Sequence, residues 1–224
     1  MCGISAVYGR YAPLKAIYMV LHQLERGTLG AGVAYTCSDG IRVVKEPTHP
    51  KAFMVFRMGD LDVESWSAIA HNRMPSMGEV AFRNTHPFLS CDGGFALAHN
   101  GHAFVTGVRE WLVRRGHRVM GETDSEVLCH LLEEYLEKCG DMVEALKMLV
   151  RSYLSGVVVV VDREGVLYCA RSGFNRAYYG FKGGEFYLAS TVKAVRSLLG
   201  GEAEVYMVED RQVIMYRRGQ LHIS

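Results

Sequence analysis

The pattern of apolar and polar positions predicts a chain that begins and ends in strands and carries its longest helices in the middle. In the first half, apolar runs bounded by turn residues predict strands over 3–8, 31–36, 41–45, 67–70 and 95–99. Leu14, Ile17 and Leu21 recur at helical spacing and predict an early amphipathic helix. The last of these strands is expected to end in a turn at Asn100-Gly101.

The second half of the chain combines helical stripes with further strands. The predicted helices span 108–115, 123–137, 142–153 and 192–199, and the predicted strands span 157–161, 166–170, 177–181, 186–189, 205–208 and 213–216. Residues 157–161 are all valine, and a strand that is apolar on both faces must be covered on both sides. Tight glycine-containing turns predict one antiparallel meander over 157–189. Sheet packed on sheet with helices outside is therefore expected.

Length and charge narrow the classes of protein that fit. The chain has 224 residues, 49% of them hydrophobic, which predicts a single packed domain over 1–224. A net charge of +1 argues against a nucleic-acid partner. No apolar stretch approaches the roughly 18 residues of a membrane helix, and the N-terminus has no signal-peptide pattern. A cytoplasmic protein with no membrane partner is expected.

The cysteines are scattered and form no C-x-x-C pair, so reduced thiols are expected, five of the six as small buried side chains. Cys2 differs because removal of Met1 would leave a residue with both a thiol and a free α-amine. That amine has an ordinary pKa of about 8 and can take the thiol proton, so one residue supplies nucleophile and base. On its own, a cysteine at the second position is more often incidental.

Further motifs follow Cys2 in a fixed order. They are Met1-Cys2-Gly3-Ile4, Arg26-Gly27 with Gly30 and Gly32, His71 to Gly78, Asn84 to Phe88, His99-Asn100-Gly101, and Thr123-Asp124-Ser125-Glu126. Together they resemble the class II glutamine amidotransferases, which are N-terminal nucleophile hydrolases, and the resemblance covers nearly the whole chain. It implies an α+β fold, a four-layer αββα sandwich with two mainly antiparallel sheets between helical layers. It also implies hydrolysis of L-glutamine to glutamate and ammonia, without a cofactor.

The resemblance assigns the catalytic roles. Cys2 is the expected nucleophile, which forms a γ-glutamyl thioester. Asn100 and Gly101 are the expected oxyanion hole, although Asn-Gly is also an ordinary turn pair. His86 and Arg26 match positions that shape the site and are expected to support substrate binding.

Three residues are expected to hold the substrate. The planar guanidinium of Arg73 suits an α-carboxylate, and Asp124 can bind an α-ammonium group. Ser76 keeps the hydroxyl of the threonine that is usual in the family. Thr123 and Glu126 also have the spacing of a helix capping box, so a structural explanation of this segment stands beside the binding role.

The chain departs from the family pattern at two places. Leu29-Gly30 stands where the family has Asp-Ser, and Met74 stands where it usually has an aromatic residue that helps close the site.

His99 and His102 form a lone H-x-x-H with no carboxylate partner, so no metal site is expected.

Most class II amidotransferases are fused to a synthetase domain, for which 224 residues leave no room. The leading hypothesis is therefore a free-standing glutaminase subunit that supplies ammonia to a separate acceptor protein. Residues 108–124 look most like the glucosamine-6-phosphate synthase branch, while glutamate synthase, asparagine synthetase and amidophosphoribosyltransferase partners stay open. Two alternatives are a stand-alone γ-glutamyl amide hydrolase and an inactive regulatory subunit.

Overall fold

Thirteen strands and seven α-helices make up the fold in the computed structural model, which describes residues 1–224. The strands are β1 (Gly3–Tyr8), β2 (Ala31–Cys37), β3 (Gly40–Glu46), β4 (Ser67–Asn72), β5 (Phe88–Leu89), β6 (Phe95–Ala103), β7 (Leu154–Asp162), β8 (Leu167–Ser172), β9 (Tyr178–Lys182), β10 (Glu185–Ala189), β11 (Tyr206–Met207), β12 (Val213–Arg217) and β13 (Gln220–Ile223). The helices are α1 (Ala12–Leu21), α2 (Pro50–Phe56), α3 (Met58–Leu61), α4 (Val108–Arg114), α5 (Asp124–Cys139), α6 (Met142–Ser152) and α7 (Val192–Leu199). No helix has both the length and the apolar composition that a membrane crossing requires.

The strands form two sheets in which every neighbouring pair is antiparallel. The first sheet has the order β11-β9-β10-β1-β4-β2-β3, and the second has the order β13-β12-β8-β7-β6-β5. The strand nearest the N-terminus, β1, therefore lies inside the first sheet, between β10 and β4. Because β1 is hydrogen-bonded to a strand on each side, the backbone position of the residues just before it is well defined.

Three apolar clusters show how the layers stack. One cluster fills the space between the sheets, with Ile4 and Ile69 from the first sheet against Ala98 from the second. A second cluster joins the outer face of the first sheet to α1, α2 and α7, and a third joins the outer face of the second sheet to α5 and α6. The result is the four-layer αββα sandwich, and the predicted fold class is confirmed.

Both faces of β7 are apolar because each face packs in a different apolar cluster. Val157, Val159 and Val161 belong to the cluster between the sheets, whereas Val158 and Val160 belong to the cluster under α5 and α6. Successive side chains of a strand point to opposite faces, so one strand serves both clusters. The predicted two-sided cover is confirmed.

The predicted turn at Asn100-Gly101 is wrong, because β6 continues through both residues to Ala103. Gly101 lies opposite Gly156 of β7 and has a φ of 154°. A Cβ atom on Gly101 would stand 2.3 Å from the carbonyl oxygen of Ser155. The glycine therefore marks a close approach of two strands, and not a reversal of the chain.

The single meander predicted over 157–189 is also wrong. β7 pairs with β8 in the second sheet, whereas β9 pairs with β10 in the first. The chain crosses from one sheet to the other between β8 and β9. Local turn chemistry predicts each hairpin, but it does not determine which sheet a hairpin joins.

The cysteines are less buried than predicted. Cys129 and Cys169 are buried, but Cys37 and Cys91 are half-buried and Cys139 is exposed. All six are free thiols. Cys91 and Cys139 stand outside the regular apolar stripes from which burial is predicted, at a turn and at a helix end.

Candidate active site

The residues around Cys2 enclose a small cavity of about 30 Å³. Cys2 precedes β1, Arg73 follows β4, Gly101 lies in β6 and Asp124 begins α5. Eleven residues line the cavity: Cys2, Arg73, Met74, Ser76, Met77, His86, His99, Gly101, Thr123, Asp124 and Ser125. Six of the eight site residues predicted from the sequence are therefore brought together here, although they come from five distant segments of the chain.

The Cys2 thiol lies against the backbone of Met74. Its Sγ accepts a hydrogen bond from the Met74 amide at 3.3 Å and lies 3.5 Å from the Met74 carbonyl oxygen. Burial raises the pKa of the thiol, while the Met74 amide, the N-terminal amino group, Arg73 and Arg26 act in the opposite direction. A nearby base is therefore needed to form the thiolate near neutral pH.

Arg26 lies outside the cavity wall and reaches Cys2 through the backbone. Its Nε donates to the Cys2 carbonyl oxygen at 2.8 Å. The segment on both sides of Arg26 is held by Asn72, whose Nδ2 donates to the carbonyl oxygens of Gln23 and Gly27 at 2.9 and 2.7 Å. A Cβ on Gly27 would lie 2.5 Å from the Arg73 carbonyl carbon, so this loop can pack on the backbone that follows β4 only with glycine there.

The Arg73 guanidinium is buried beneath the loop that follows it. Its Nη1 donates to the carbonyl oxygen of Glu79 at 2.7 Å, and its Nη2 donates to those of Met77 and Gly78 at 2.7 and 3.2 Å. A guanidinium has five N–H donors. The three observed bonds therefore fix the loop and leave donors for a ligand.

The start of α5 places a carboxylate at the cavity. The Thr123 side chain caps the helix by accepting from the Glu126 amide at 3.3 Å. Glu126 does not complete the predicted capping box, because its carboxylate accepts from the amides of Met120 and Gly121. Asp124 is free for another task, since only the Ala103 amide, at 2.8 Å, and the Ser125 hydroxyl reach its carboxylate.

Asn100 is the second predicted residue outside the cavity wall, next to Gly101 in β6. Its side chain is buried, and Nδ2 has no hydrogen-bond partner. A buried donor without a partner costs on the order of 1–3 kcal/mol. Such a donor is typical of sites where an acceptor arrives with the ligand.

Three histidines line or support the floor of the site. His71 stacks on His86 with ring centroids 3.9 Å apart, and no nitrogen of either ring has a partner. His99 pairs through Nδ1 with the Ser125 hydroxyl at 2.9 Å. Burial lowers the pKa of His71 to about 3 and that of His99 to about 4, and it holds that of His86 well below its ordinary value. The three rings are therefore neutral at physiological pH.

Sequence reasoning missed several residues at the cavity. His99 and Ser125 were within recognised motifs but had no role in the site assigned, Thr123 was given only a helix-capping role, and Met77 gave no chemical signal. The pairing of His99 with Ser125 joins β6 to α5. A prediction of this pair needs the three-dimensional proximity of two motifs that are separated by 26 residues.

Known structures of similar fold agree with this architecture. The glutamine phosphoribosylpyrophosphate amidotransferase of B. subtilis superposes with a TM-score of 0.82 at 23% identity, over 100% of this chain and 49% of that one. A glutamine aminotransferase class-II domain protein of Silicibacter pomeroyi superposes with a TM-score of 0.64 at 16% identity, over 99% and 98% of the two chains. These likenesses show a shared fold, the four-layer αββα sandwich.

Sequence comparison then identifies the family. Residues 21–170 match the family described as glutamine amidotransferases class-II. The chain belongs to this family, as the motifs predicted. Curated relatives include the glutamine–fructose-6-phosphate aminotransferases of Thermus thermophilus and Thermotoga maritima, which are 33% and 32% identical over 100% of this chain. The chain spans only 37% and 36% of their lengths.

Proposed function

We propose that this chain hydrolyses L-glutamine to glutamate and ammonia through a thioester on Cys2. The observation that carries the proposal is the meeting of a thiol, a buried guanidinium and a free carboxylate at one cavity, beside an unpartnered amide. These groups belong to Cys2, Arg73, Asp124 and Asn100. Membership of the amidotransferase family supports the same substrate.

Charge complementarity supports glutamine as the ligand. Its α-carboxylate can bind the remaining N–H donors of Arg73, and its α-ammonium can bind the carboxylate of Asp124. The Ser76 hydroxyl at the rim can add a hydrogen bond. With both ends of the amino acid held, the side-chain amide is directed away from them, toward the Cys2 thiol.

The proposed reaction needs a base and an oxyanion site. Met1 is 75% exposed, so it is accessible to removal, after which the α-amine of Cys2 can accept the thiol proton. The thiolate attacks the amide carbon, and the oxyanion accepts hydrogen bonds from Asn100 Nδ2 and the Gly101 amide. Collapse breaks the C–N bond, and the leaving NH2 group takes the proton from the α-ammonium of Cys2 and departs as ammonia. Water then hydrolyses the thioester to glutamate.

Substrate entry requires the loop after Arg73 to move. A cavity of about 30 Å³ holds about one water molecule, which is far less than glutamine occupies. The loop is exposed at Met74 and Met77, and the Arg73 guanidinium donates to three of its carbonyl oxygens. Substrate binding to Arg73 would therefore couple directly to the position of this loop.

We propose that residues 1–224 form a single glutaminase domain and that the ammonia is used by a separate acceptor protein. All the strands lie in the two sheets, and the longer helices pack on their outer faces. These residues therefore hold no second folded unit that could carry a synthetic site. Affinity purification of the chain from its own source, followed by mass spectrometry, would identify an acceptor.

The thioester chemistry is tested with a diazo-ketone analogue of glutamine. We expect the intact mass to show loss of Met1 and a single adduct, located on Cys2 by peptide mapping. Cys2→Ala should remain unmodified, whereas Cys139→Ser, which removes an exposed thiol far from the cavity, should react like the unaltered chain. An unmodified protein that has lost Met1 would contradict the proposal.

Product analysis distinguishes the possible substrates. Glutamine should yield glutamate and ammonia in equal amounts, with no activity in Cys2→Ala. Faster release of amines from γ-glutamyl peptides than of ammonia from glutamine would favour a γ-glutamyl amide hydrolase. Turnover of neither substrate by protein with a free Cys2 amine would favour a regulatory subunit.

A further inference from the structure

A second group of reactive side chains lies outside the Cys2 cavity. Cys91, His117, His130 and Glu133 each direct one donor atom to a common point, and these four atoms lie within 4.8 Å of one another. None of the four residues lines the Cys2 cavity. The cluster combines a thiol, two imidazoles and a carboxylate, which is a donor set typical of zinc.

The distances within the cluster are close to those of a tetrahedral site. Cys91 Sγ lies 3.7 Å from His117 Nδ1 and 3.5 Å from His130 Nδ1. Tetrahedral zinc, with bonds of about 2.3 Å to sulfur and 2.0–2.1 Å to nitrogen, separates such atoms by about 3.6 Å. The Glu133 oxygens lie 3.0 and 2.8 Å from the two Nδ1 atoms. Tetrahedral zinc, with bonds of about 2.0–2.1 Å to nitrogen and oxygen, separates such atoms by about 3.3–3.4 Å, so an ion would increase these two distances by roughly 0.3–0.6 Å.

His117 shows a hydrogen-bonding pattern that a cation explains. Its Nε2 lies 2.8 Å from Glu134 Oε1, and its Nδ1 lies 3.0 Å from Glu133 Oε2. A neutral imidazole carries one N–H, so it can donate to only one of these carboxylates. With Nε2–H on Glu134, the Nδ1 lone pair faces the cluster. An outer carboxylate on the second ring nitrogen is the usual support of a zinc-bound histidine.

The four residues converge from three parts of the chain. Cys91 lies in the turn between β5 and β6, His117 lies between α4 and α5, and His130 and Glu133 lie one turn apart on α5. The Cys91 amide also donates to Glu133 Oε1 at 2.7 Å, which orients the carboxylate. His130 is almost fully buried, and the other three are half-buried, so the cluster is partly shielded from water but accessible.

An acidic groove of about 680 Å³ leads to the cluster. Five other carboxylates and one arginine line it: Asp92, Glu137, Asp141, Asp162, Glu164 and Arg163. A groove lined mainly by negative charge raises the local concentration of cations. The structure thus provides the ligands, their orientation and an entry path.

We propose that Cys91, His117, His130 and Glu133 form a structural zinc site. Binding releases the thiol proton of Cys91 to solvent, and the thiolate, two Nδ1 lone pairs and one carboxylate oxygen complete four-coordination. With no position left open, the ion holds the β5–β6 turn and the α4–α5 connection against α5. The sequence predicted no metal site because these ligands are spread over 91–133 without a metal-binding spacing.

The site can be tested independently of glutamine hydrolysis. Untagged full-length Cys2→Ala protein is stripped with a chelator, so that Cys2 cannot act as the sulfur ligand, and is then titrated with Co²⁺ and with Zn²⁺. We expect one ion per chain, the intense visible bands of tetrahedral Co²⁺ and a thiolate-to-cobalt charge-transfer band. Zn²⁺ should displace the Co²⁺ and raise the melting temperature. Absence of tetrahedral Co²⁺ bands and of stoichiometric Zn²⁺ would overturn the proposal.

Variants then locate the ion. Cys91→Ser should abolish the charge-transfer band, and Cys139→Ser, which removes an exposed thiol at the end of α5, should keep it. Glu134→Gln should keep the ligands but weaken zinc binding by about 10–100-fold. If Cys91→Ser fails to fold, the zinc affinity of Glu134→Gln tests the location of the ion instead. Unchanged affinity in Glu134→Gln, or a charge-transfer band that persists in Cys91→Ser, would contradict the assignment.

Discussion

The Nε–H of Arg26 donates to the carbonyl oxygen of Cys2 at 2.8 Å, so the segment after α1 fixes the backbone of the proposed nucleophile. Arg26→Met removes this bond while keeping a long side chain. Because a misplacement of about 1 Å can cost about 100-fold in rate, we expect kcat for glutamine to fall by about 10–100-fold. Arg10→Met, which removes an exposed ion pair with Glu64, should leave kcat unchanged in the same ammonia-release assay. Equal kcat values in the two variants would exclude this positioning role.

The unpartnered amide of Asn100 leads to a second prediction. Asn100→Ala deletes one of the two proposed oxyanion donors. Removal of one such donor costs about 100–1,000-fold in kcat, and we expect a loss of that size with a much smaller change in KM. Steady-state kinetics with glutamine measure both constants, and circular dichroism checks the fold. A variant with raised KM and unchanged kcat would instead place Asn100 in substrate binding.

The close approach of Gly101 to Gly156 makes β6 sensitive to a single methyl group. A Cβ on Gly101 would lie 2.3 Å from the Ser155 carbonyl oxygen and 2.6 Å from the Gly156 Cα. Gly101→Ala should therefore lower the free energy of unfolding by about 1–3 kcal/mol, as overpacking does. Gly59→Ala is the matched control, because no atom lies within 4 Å of its Cβ position. Urea unfolding of both variants tests this, and equal stabilities would contradict the proposed clash.

The sequence predicted most of this fold because its signals are local. β1 and α7 have the predicted bounds. The valine run of β7 correctly predicted that both faces of this strand are buried against other layers. The turn predicted at Asn100-Gly101 failed because the same dipeptide serves either a reversal or a close strand contact. Only the position of Gly156 across the sheet distinguishes the two, and that information is not local.

The candidate site was predicted from motifs in the sequence. Residues that belong to no motif were missed, because only the tertiary fold brings them together. Cys2, Arg73 and Asp124 lie in recognisable patterns and meet at one cavity. The Cys91 cluster has no pattern along the chain, because its ligands are brought together by the docking of α5 on the β5–β6 turn. The only local indication of a metal site was the spacing of His130 and Glu133, which places both on one face of a helix. A His–Glu pair at this spacing is more often an ordinary surface contact.

The buried histidines beneath Cys2 predict a loss of stability in acid. Burial lowers the pKa of His71 to about 3, with His99 and Arg73 adding to the effect, whereas an unfolded chain has a histidine pKa of about 6.5. Above pH 6.5 the His71 ring is neutral in both the folded and the unfolded state, so it does not make the free energy of unfolding depend on pH. Below it the unfolded state binds the proton first, so stability falls by about 1.4 kcal/mol per pH unit for each such ring. His71→Phe should make the decline between pH 6 and pH 5 shallower by about that amount. Urea unfolding at both pH values measures it, with the exposed His222→Gln as control. A decline as steep in His71→Phe as in the unaltered chain would show that His71 does not titrate in this way.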